Sequence, residues 1–352
     1  MGCTCTKKLK TEDEAEFEQK VNLSKENENE ENNTSNLLNI ENDNKNEQFQ
    51  SSLKNKKNLE ENNENNNSLY NENKGQNKEE NFDNSNLIDA DKIPESELQE
   101  LFLKYEPLND SVKIELKPAT LCENEIIYYG EWDTNKNVRH GRGIQLWPDG
   151  SKYSGYWKDN QASLKGKLIH SNGDIYDGEW DLDKPNGFGE YLKKDGSIYK
   201  GQWKNDKQNG KGVEIWADGS KFEGNFKDGK KNGYGVFNWN DGNSYEGNFE
   251  NNFISGKGKY IFNDKSSYDG FWVMNRMEGN GIFIWPDGRK YEGDFLNDKK
   301  HGYGIFFSPN GKKYKGEWKY GKQDGEGEIY LPKENIWKKG IWENGKRIKW
   351  LS

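Results

Sequence analysis

One aromatic residue recurs every 23 positions: Tyr153, Tyr176, Tyr199, Phe222, Tyr245, Tyr268, Tyr291 and Tyr314. Each opens the pattern aromatic-x-Gly-x-Trp/Phe. A fixed period of this length implies an array of one small unit, each unit stacked on the next. Tyr128-Tyr129-Gly130-Glu131-Trp132 opens the series with a 25-residue step, and Trp337 closes it one residue out of phase, with Gly340 and Trp342. Residues two apart in a strand share a face, so Tyr199, Gly201 and Trp203 point one way while Lys200 and Gln202 point the other. That alternation predicts a half-buried strand. Two more glycines follow at Gly210 and Gly212, or at Gly302 and Gly304, and lead into a second run such as Ile305-Phe306-Phe307, a return strand. The link between the two strands is built of turn-formers, as in Asp228-Gly229-Lys230. The next turn carries Asp-Gly or Asn-Gly, as at Asp149-Gly150, Asp218-Gly219 and Asn310-Gly311. Each unit is therefore a hairpin, and the fold expected is all-β: an elongated single-sheet solenoid of about ten antiparallel hairpins. Such an array should run roughly 90 to 100 Å at about 4.8 Å per strand.

The residues expected to form its continuous core are Tyr128, Trp132, Tyr153, Trp157, Tyr176, Trp180, Tyr199, Trp203, Phe222, Phe226, Tyr245, Phe249, Tyr268, Trp272, Tyr291, Phe295, Tyr314 and Trp318. The glycines between them leave room for a ring to lie across the backbone. A lone hairpin is marginal in water, so stability must be summed over neighbours. The pattern lapses at Leu164, where the first glycine of a Gly-x-Gly pair is missing, at Asp264-Lys265, which lacks the turn glycine, and in the shifted last unit. Bulges or fraying are expected there.

These residues resemble the MORN (membrane occupation and recognition nexus) repeat family, from 128 to about 345. What the resemblance implies is a non-catalytic role linking membranes, cytoskeleton and protein complexes, including ciliary ones, often as a dimer, so a homodimer is among the expected assemblies. Some arrays of this family precede a lipid kinase or methyltransferase domain, but this sequence ends at Ser352 directly after the last unit, so no such domain is expected.

Composition divides the chain in two. All 13 Trp lie at or after Trp132, and only Gly2 and Gly75 of the 39 Gly come before Ser111. The part before Ser111 holds 13 Lys against 26 Asp and Glu, net -13, which leaves +4 for the remainder of a chain whose net charge is -9. A mean hydropathy of -1.27 would point towards disorder were the aromatics scattered rather than concentrated in the second part. Residues 11–86, rich in Asn, Glu and Lys, cannot bury enough to order themselves and predict a disordered tether with an r.m.s. span of roughly 45 to 50 Å. Residues 87–110 contain an amphipathic helix, with Leu98, Leu101, Phe102 and Tyr105 on one face. Either a Ser96/Gln99 capping box or Pro94 would start it, and it would cap the array at 111–352 or dock a partner. Asp89, Asp91 and Glu97 do not fit an EF-hand, because Asp91 would stand where glycine is required.

Residues 1–10 read as an acylated membrane anchor. Met-Gly-Cys-Thr-Cys-Thr fits N-myristoylation of Gly2, with Cys3 and Cys5 placed for palmitoylation and Lys7, Lys8 and Lys10 for an anionic leaflet. The expected location is the cytoplasmic face of a membrane, plasma or ciliary. No window approaches the roughly 18 apolar residues of a spanning helix. Three cysteines and three scattered histidines supply no zinc set and no catalytic constellation, so neither metal, cofactor nor nucleic acid is expected. The reading that results is a membrane-tethered scaffold for membrane-associated or cytoskeletal proteins. The alternative is an array that binds anionic phospholipid through Lys230, Lys231, Lys299, Lys300, Lys312 and Lys313.

Overall fold

The computed structural model describes residues 93–351. The anchor residues Gly2, Cys3, Cys5, Lys7, Lys8 and Lys10, and the tether at 11–86, lie outside the described residues. The helix α1 (Glu95–Lys104) is followed by 21 strands, β1 to β21 in chain order. Every strand pairs antiparallel with its sequence neighbours, which makes one open meander. The all-β single sheet expected from the period is borne out.

The register explains the glycines. Gly201 faces Gly212, but Trp203 faces Gln208, so the return strand carries a bulge between those pairs. The Tyr199 ring lies across both glycines, and a Cβ on Gly212 would stand 2.5 Å from its hydroxyl oxygen. That hydroxyl donates to the Gln202 carbonyl at 2.9 Å, next to the bulge. The same bond recurs in the other tyrosine units, for example from Tyr153 to Tyr156 and from Tyr268 to Phe271. The Trp indoles of the motif reach back to the preceding unit: Trp157 Nε1 donates to the Gly143 carbonyl at 3.2 Å and Trp180 Nε1 to the Gly166 carbonyl at 2.9 Å. In the first unit that carbonyl would belong to Pro118, which accepts instead from Thr120 Oγ1, and Trp132 Nε1 is buried without a partner.

Rings interlock edge to face along the whole array. Tyr153 sits 5.1 Å from its own Trp157 and 5.1 Å from Trp180 of the next unit, at 82° and 87°. The chain of such contacts is unbroken from Trp132 to Trp342.

The irregular units keep their register. Leu164 occupies the left-handed position its glycine counterparts take, with φ 57°, and its strand pairs as the others do. Lys265 does the same in its turn, with φ 72°. Neither unit is frayed. At the end of the array β19 (Lys322–Leu331) is one residue longer and meets β20 (Ile336–Glu343), with β21 (Lys346–Trp350) closing the sheet. The extra residue turns Trp337 to the opposite face, where it is exposed, while Trp342 stays in the core row against Tyr314.

Two elements differ from expectation. β1 (Ile114–Leu121) precedes the first hairpin and pairs with β2 (Ile127–Asp133), so the array opens on a strand without the repeat pattern. In α1, Pro94 stands at the N-cap and no side chain caps the helix, so the Ser96/Gln99 box does not form. The helix buries Leu98 and Leu101 against Ile127 and Ile144, on the sheet face opposite the aromatic core.

Candidate interaction surface

All the side chains named as the repeat core are buried, apart from Trp203, which is intermediate. They hold the sheet together and cannot meet a partner. Burial also pushes the hydroxyls of Tyr176, Tyr199, Tyr245, Tyr268, Tyr291 and Tyr314 well above the usual phenol range. No ionisation chemistry resides there near neutrality.

A second aromatic row shares that face and stays partly open. Trp216, Phe237, Trp239, Tyr260, Phe262, Phe283, Trp285 and Phe306 follow one another from the unit that starts at Tyr199 to the one that starts at Tyr291. Trp216 stacks on Phe237 at 5.0 Å and 21°, and Phe237 on Trp239 at 4.2 Å and 19°. Contacts of 5.3, 4.5, 5.8, 4.5 and 5.8 Å carry the row to Phe306. A groove beside the row is lined by Phe237, Trp239, Tyr260 and Phe262 together with Ile254, Trp272 and Met277. The sequence carried a signal for this row that the reading missed. Trp216, Trp239, Phe262 and Trp285 are themselves 23 apart and stand just before the Asp-x or Asp-Gly turn.

Two lysines lie over these rings. Lys231 Nζ is 4.6 Å from the Trp216 ring and 5.0 Å from that of Phe222, and it pairs with Glu214 at 2.8 Å. Lys300 Nζ is 4.3 Å from Trp318, 5.0 Å from Phe306, 5.5 Å from Trp285 and 5.6 Å from Tyr291. Burial, with a smaller contribution from Arg289, pushes its pKa down to about 8. The other lysines considered for lipid binding are exposed and do not converge with these: Lys230 and Lys299 begin return strands at one rim, whereas Lys312 and Lys313 follow the turn at the opposite rim.

On the opposite face α1 and the segment after it cover the first two units. Arg142 is held by Glu131, with Nη2 donating to Oε1 at 2.7 Å, donates from Nη1 to the Tyr105 carbonyl at 3.0 Å, and stacks over Phe102 at 4.2 Å. Tyr156 donates its hydroxyl to the Glu106 carbonyl at 2.7 Å, and Lys152 Nζ meets Glu97 at 2.7 Å. Beyond the helix Phe188, Tyr234, Phe271 and Tyr303 are about half exposed. Each is paired across the strands with a polar residue: Gln202, Asn248, Lys257 and Glu317 respectively. Among the described residues no cluster of His, Cys, Asp and Glu could hold a metal ion, and no helix is long and apolar enough to cross a membrane.

Comparison with known proteins gives one family. The MORN repeat pattern matches nine segments: residues 128–152, 153–175, 176–198, 199–221, 222–244, 245–267, 268–288, 291–313 and 314–335. No curated protein matches the sequence. Among solved structures, the TCP10 domain of Danio rerio CPAP in complex with a STIL peptide is 12% identical. That match covers 68% of this chain and 99% of that one, with a TM-score of 0.37. The SAS-4 (dCPAP) TCP domain of Drosophila melanogaster is 11% identical over 43% of this chain and 81% of that one, with a TM-score of 0.28. Likenesses this distant bear on neither fold nor function.

Proposed function

We propose, from the premise that this chain belongs to the MORN repeat family, that it is a non-catalytic scaffold tethered to a membrane by acyl chains, which binds protein partners along the aromatic face of its sheet. Repeats of this family are associated with membrane or protein binding. The observation that carries the reading is the partly open row from Trp216 to Phe306: contiguous aromatic surface is costly to leave in water and is what protein interfaces bury at their centres. The N-terminal Met-Gly-Cys-Thr-Cys-Thr supports the tether, since myristate alone binds marginally and a second acyl chain makes attachment stable. Partners would then be membrane-associated or cytoskeletal proteins at the cytoplasmic face.

Fractionation of cells that express the intact protein and a Gly2→Ala variant tests the tether. The variant should leave the membrane fraction, and a variant that remained there would overturn the acyl anchor. The phospholipid reading has less support, because its six lysines divide between two rims and Lys231 is already paired. Binding of the full chain to phosphoinositide vesicles at physiological salt would revive it.

A further inference from the structure

The array contains the same lysine box twice, three repeats apart, and only one copy is electrically complete. Trp216, Phe222 and Phe237 around Lys231 correspond to Trp285, Tyr291 and Phe306 around Lys300. At the first copy Glu214 supplies a carboxylate 2.8 Å from Nζ, in a pair whose side chains are only 13% and 17% exposed. At the second copy the position of Glu214 is taken by Phe283. No carboxylate among the described residues pairs with Lys300. The rim differs as well. Asn252, whose Oδ1 accepts from the Lys231 backbone N–H at 2.8 Å, is replaced by Gly321, where an added Cβ would meet nothing within 4 Å.

We infer that Lys300, walled by Trp285, Phe306 and Trp318, is a receptor for one carboxylate side chain, Asp or Glu, of a protein segment laid along the aromatic row. The complete copy shows the bound geometry: a carboxylate enters over the rings and meets Nζ at hydrogen-bond distance, where the low-dielectric walls strengthen the pair. A phosphate fits less well. It asks for several converging donors, and the other cation acting on the box among the described residues, Arg289, is held by Asp287 at 2.7 Å. The rings also favour apolar residues on either side of the acid. The partner motif is therefore one acidic side chain flanked by Leu or an aromatic, rather than an acidic run. This deepens the protein-binding reading and rests on it.

Calorimetric titration of the full-length protein with N-acetyl-leucyl-glutamyl-phenylalaninamide and with its glutamine counterpart tests it. The glutamyl peptide should bind about tenfold more tightly. Lys300→Met should abolish that difference, and so should Phe283→Glu, which supplies the missing carboxylate from within as Glu214 does. Equal affinities in the parent protein, or a preference that survives Lys300→Met, would overturn the site. Binding to phosphoinositide vesicles that depends on Lys300 while the peptides show no preference would overturn it in favour of a lipid phosphate. Neither result touches the Gly2→Ala fractionation, so the acyl tether stands or falls separately.

Discussion

At the scale of single residues the fold depends on two kinds of glycine. A Cβ on Gly258 would lie 2.2 Å from the Tyr245 hydroxyl oxygen and 2.5 Å from its ring, with no free space to move into. Gly196 is different: its φ is 91°, but nothing stands within 4 Å of an added Cβ. Gly258→Ala should therefore cost about 3 kcal/mol, the upper range for overpacking, whereas Gly196→Ala should cost about 1 kcal/mol from backbone strain alone. Thermal unfolding of the two variants checks the ranking. Leu164 offers the reverse experiment. It is half exposed and holds φ 57°, so Leu164→Gly should stabilise the protein by about 0.5–1 kcal/mol. Lys300 adds a pH dependence. The ionisable groups facing it are Arg289, just before β16 (Lys290–Leu296), and Tyr291 within that strand. Phe306 of its own strand and Trp318 of the next contribute rings without charge. Its folded pKa of about 8 lies below the ordinary 10.5, so above pH 8 the unfolded chain binds more protons and stability rises. That rise is readable only to about pH 9, because the many buried tyrosines begin to ionise in the unfolded chain below their ordinary pKa of about 10 and their raised native values together reverse the trend. Urea midpoints should climb between about pH 8 and 9 in the parent protein and stay flatter in Lys300→Met over that interval.

Among the elements, α1 is the one that the array does not need for its own pairing, and its contacts are local to the first two units. Leu101 is 5% exposed, so Leu101→Ala should cost about 2–3 kcal/mol. Because each unit touches only its neighbours, the loss should appear as faster amide exchange in α1 and the first hairpins, with no change around Tyr291 or Tyr314. Uniform acceleration along the sheet would show that the array unfolds as one block. Arg142 and Glu131 form a buried pair under the helix, where losing one partner strands the other at a cost of about 3–5 kcal/mol, so this end of the array is fixed by charge as well as by apolar contact. The elements also show what the sequence made legible. Strands carrying Tyr-x-Gly-x-Trp were readable because period-2 alternation and a 23-residue period coincide. β1 was not, since Ile114–Leu121 has neither glycine nor a Tyr/Trp pair, and its central Pro118 argues against a strand. The docking face of α1 was open to reading and missed. Ile127, Tyr129, Ile144 and Leu146 sit at the outward positions of the first hairpin, and apolar residues on both faces mean that both are covered. The interior row was named from its motif, whereas the open row was not, because its members vary between Trp, Phe and Tyr and its period shows only when the turns are aligned.

For the molecule as a whole the unit of construction is one hairpin, a single period from one core aromatic to the next, and this fixes which deletions it tolerates. Removing 245–267 joins Ser244 to Tyr268, so each ring of the core row meets the equivalent ring of the next unit. Phe222, which now lies 5.1 Å from Phe249, would meet Trp272 instead. The sheet should close with two strands fewer and shorten by about 10 Å. It should unfold cooperatively at a lower temperature, since one set of neighbour contacts is gone. Removing 245–266 takes out one residue fewer, and the result should differ in kind. The downstream strand would enter the ladder shifted by a single residue, which turns Tyr268 and Trp272 out to solvent and Asp269 and Phe271 into the core row. Absorbing the odd residue in a longer strand and its turn, as β19 does before Trp337, is open to the last unit because only β21 follows it. An interior unit has flanking hairpins that hold it on both sides. Tryptophan emission and thermal unfolding of the two deletions separate the outcomes. If the shorter deletion proved as stable as the full-period one, the sheet would be held by its backbone ladder, and the edge-to-face column of rings would not set its register.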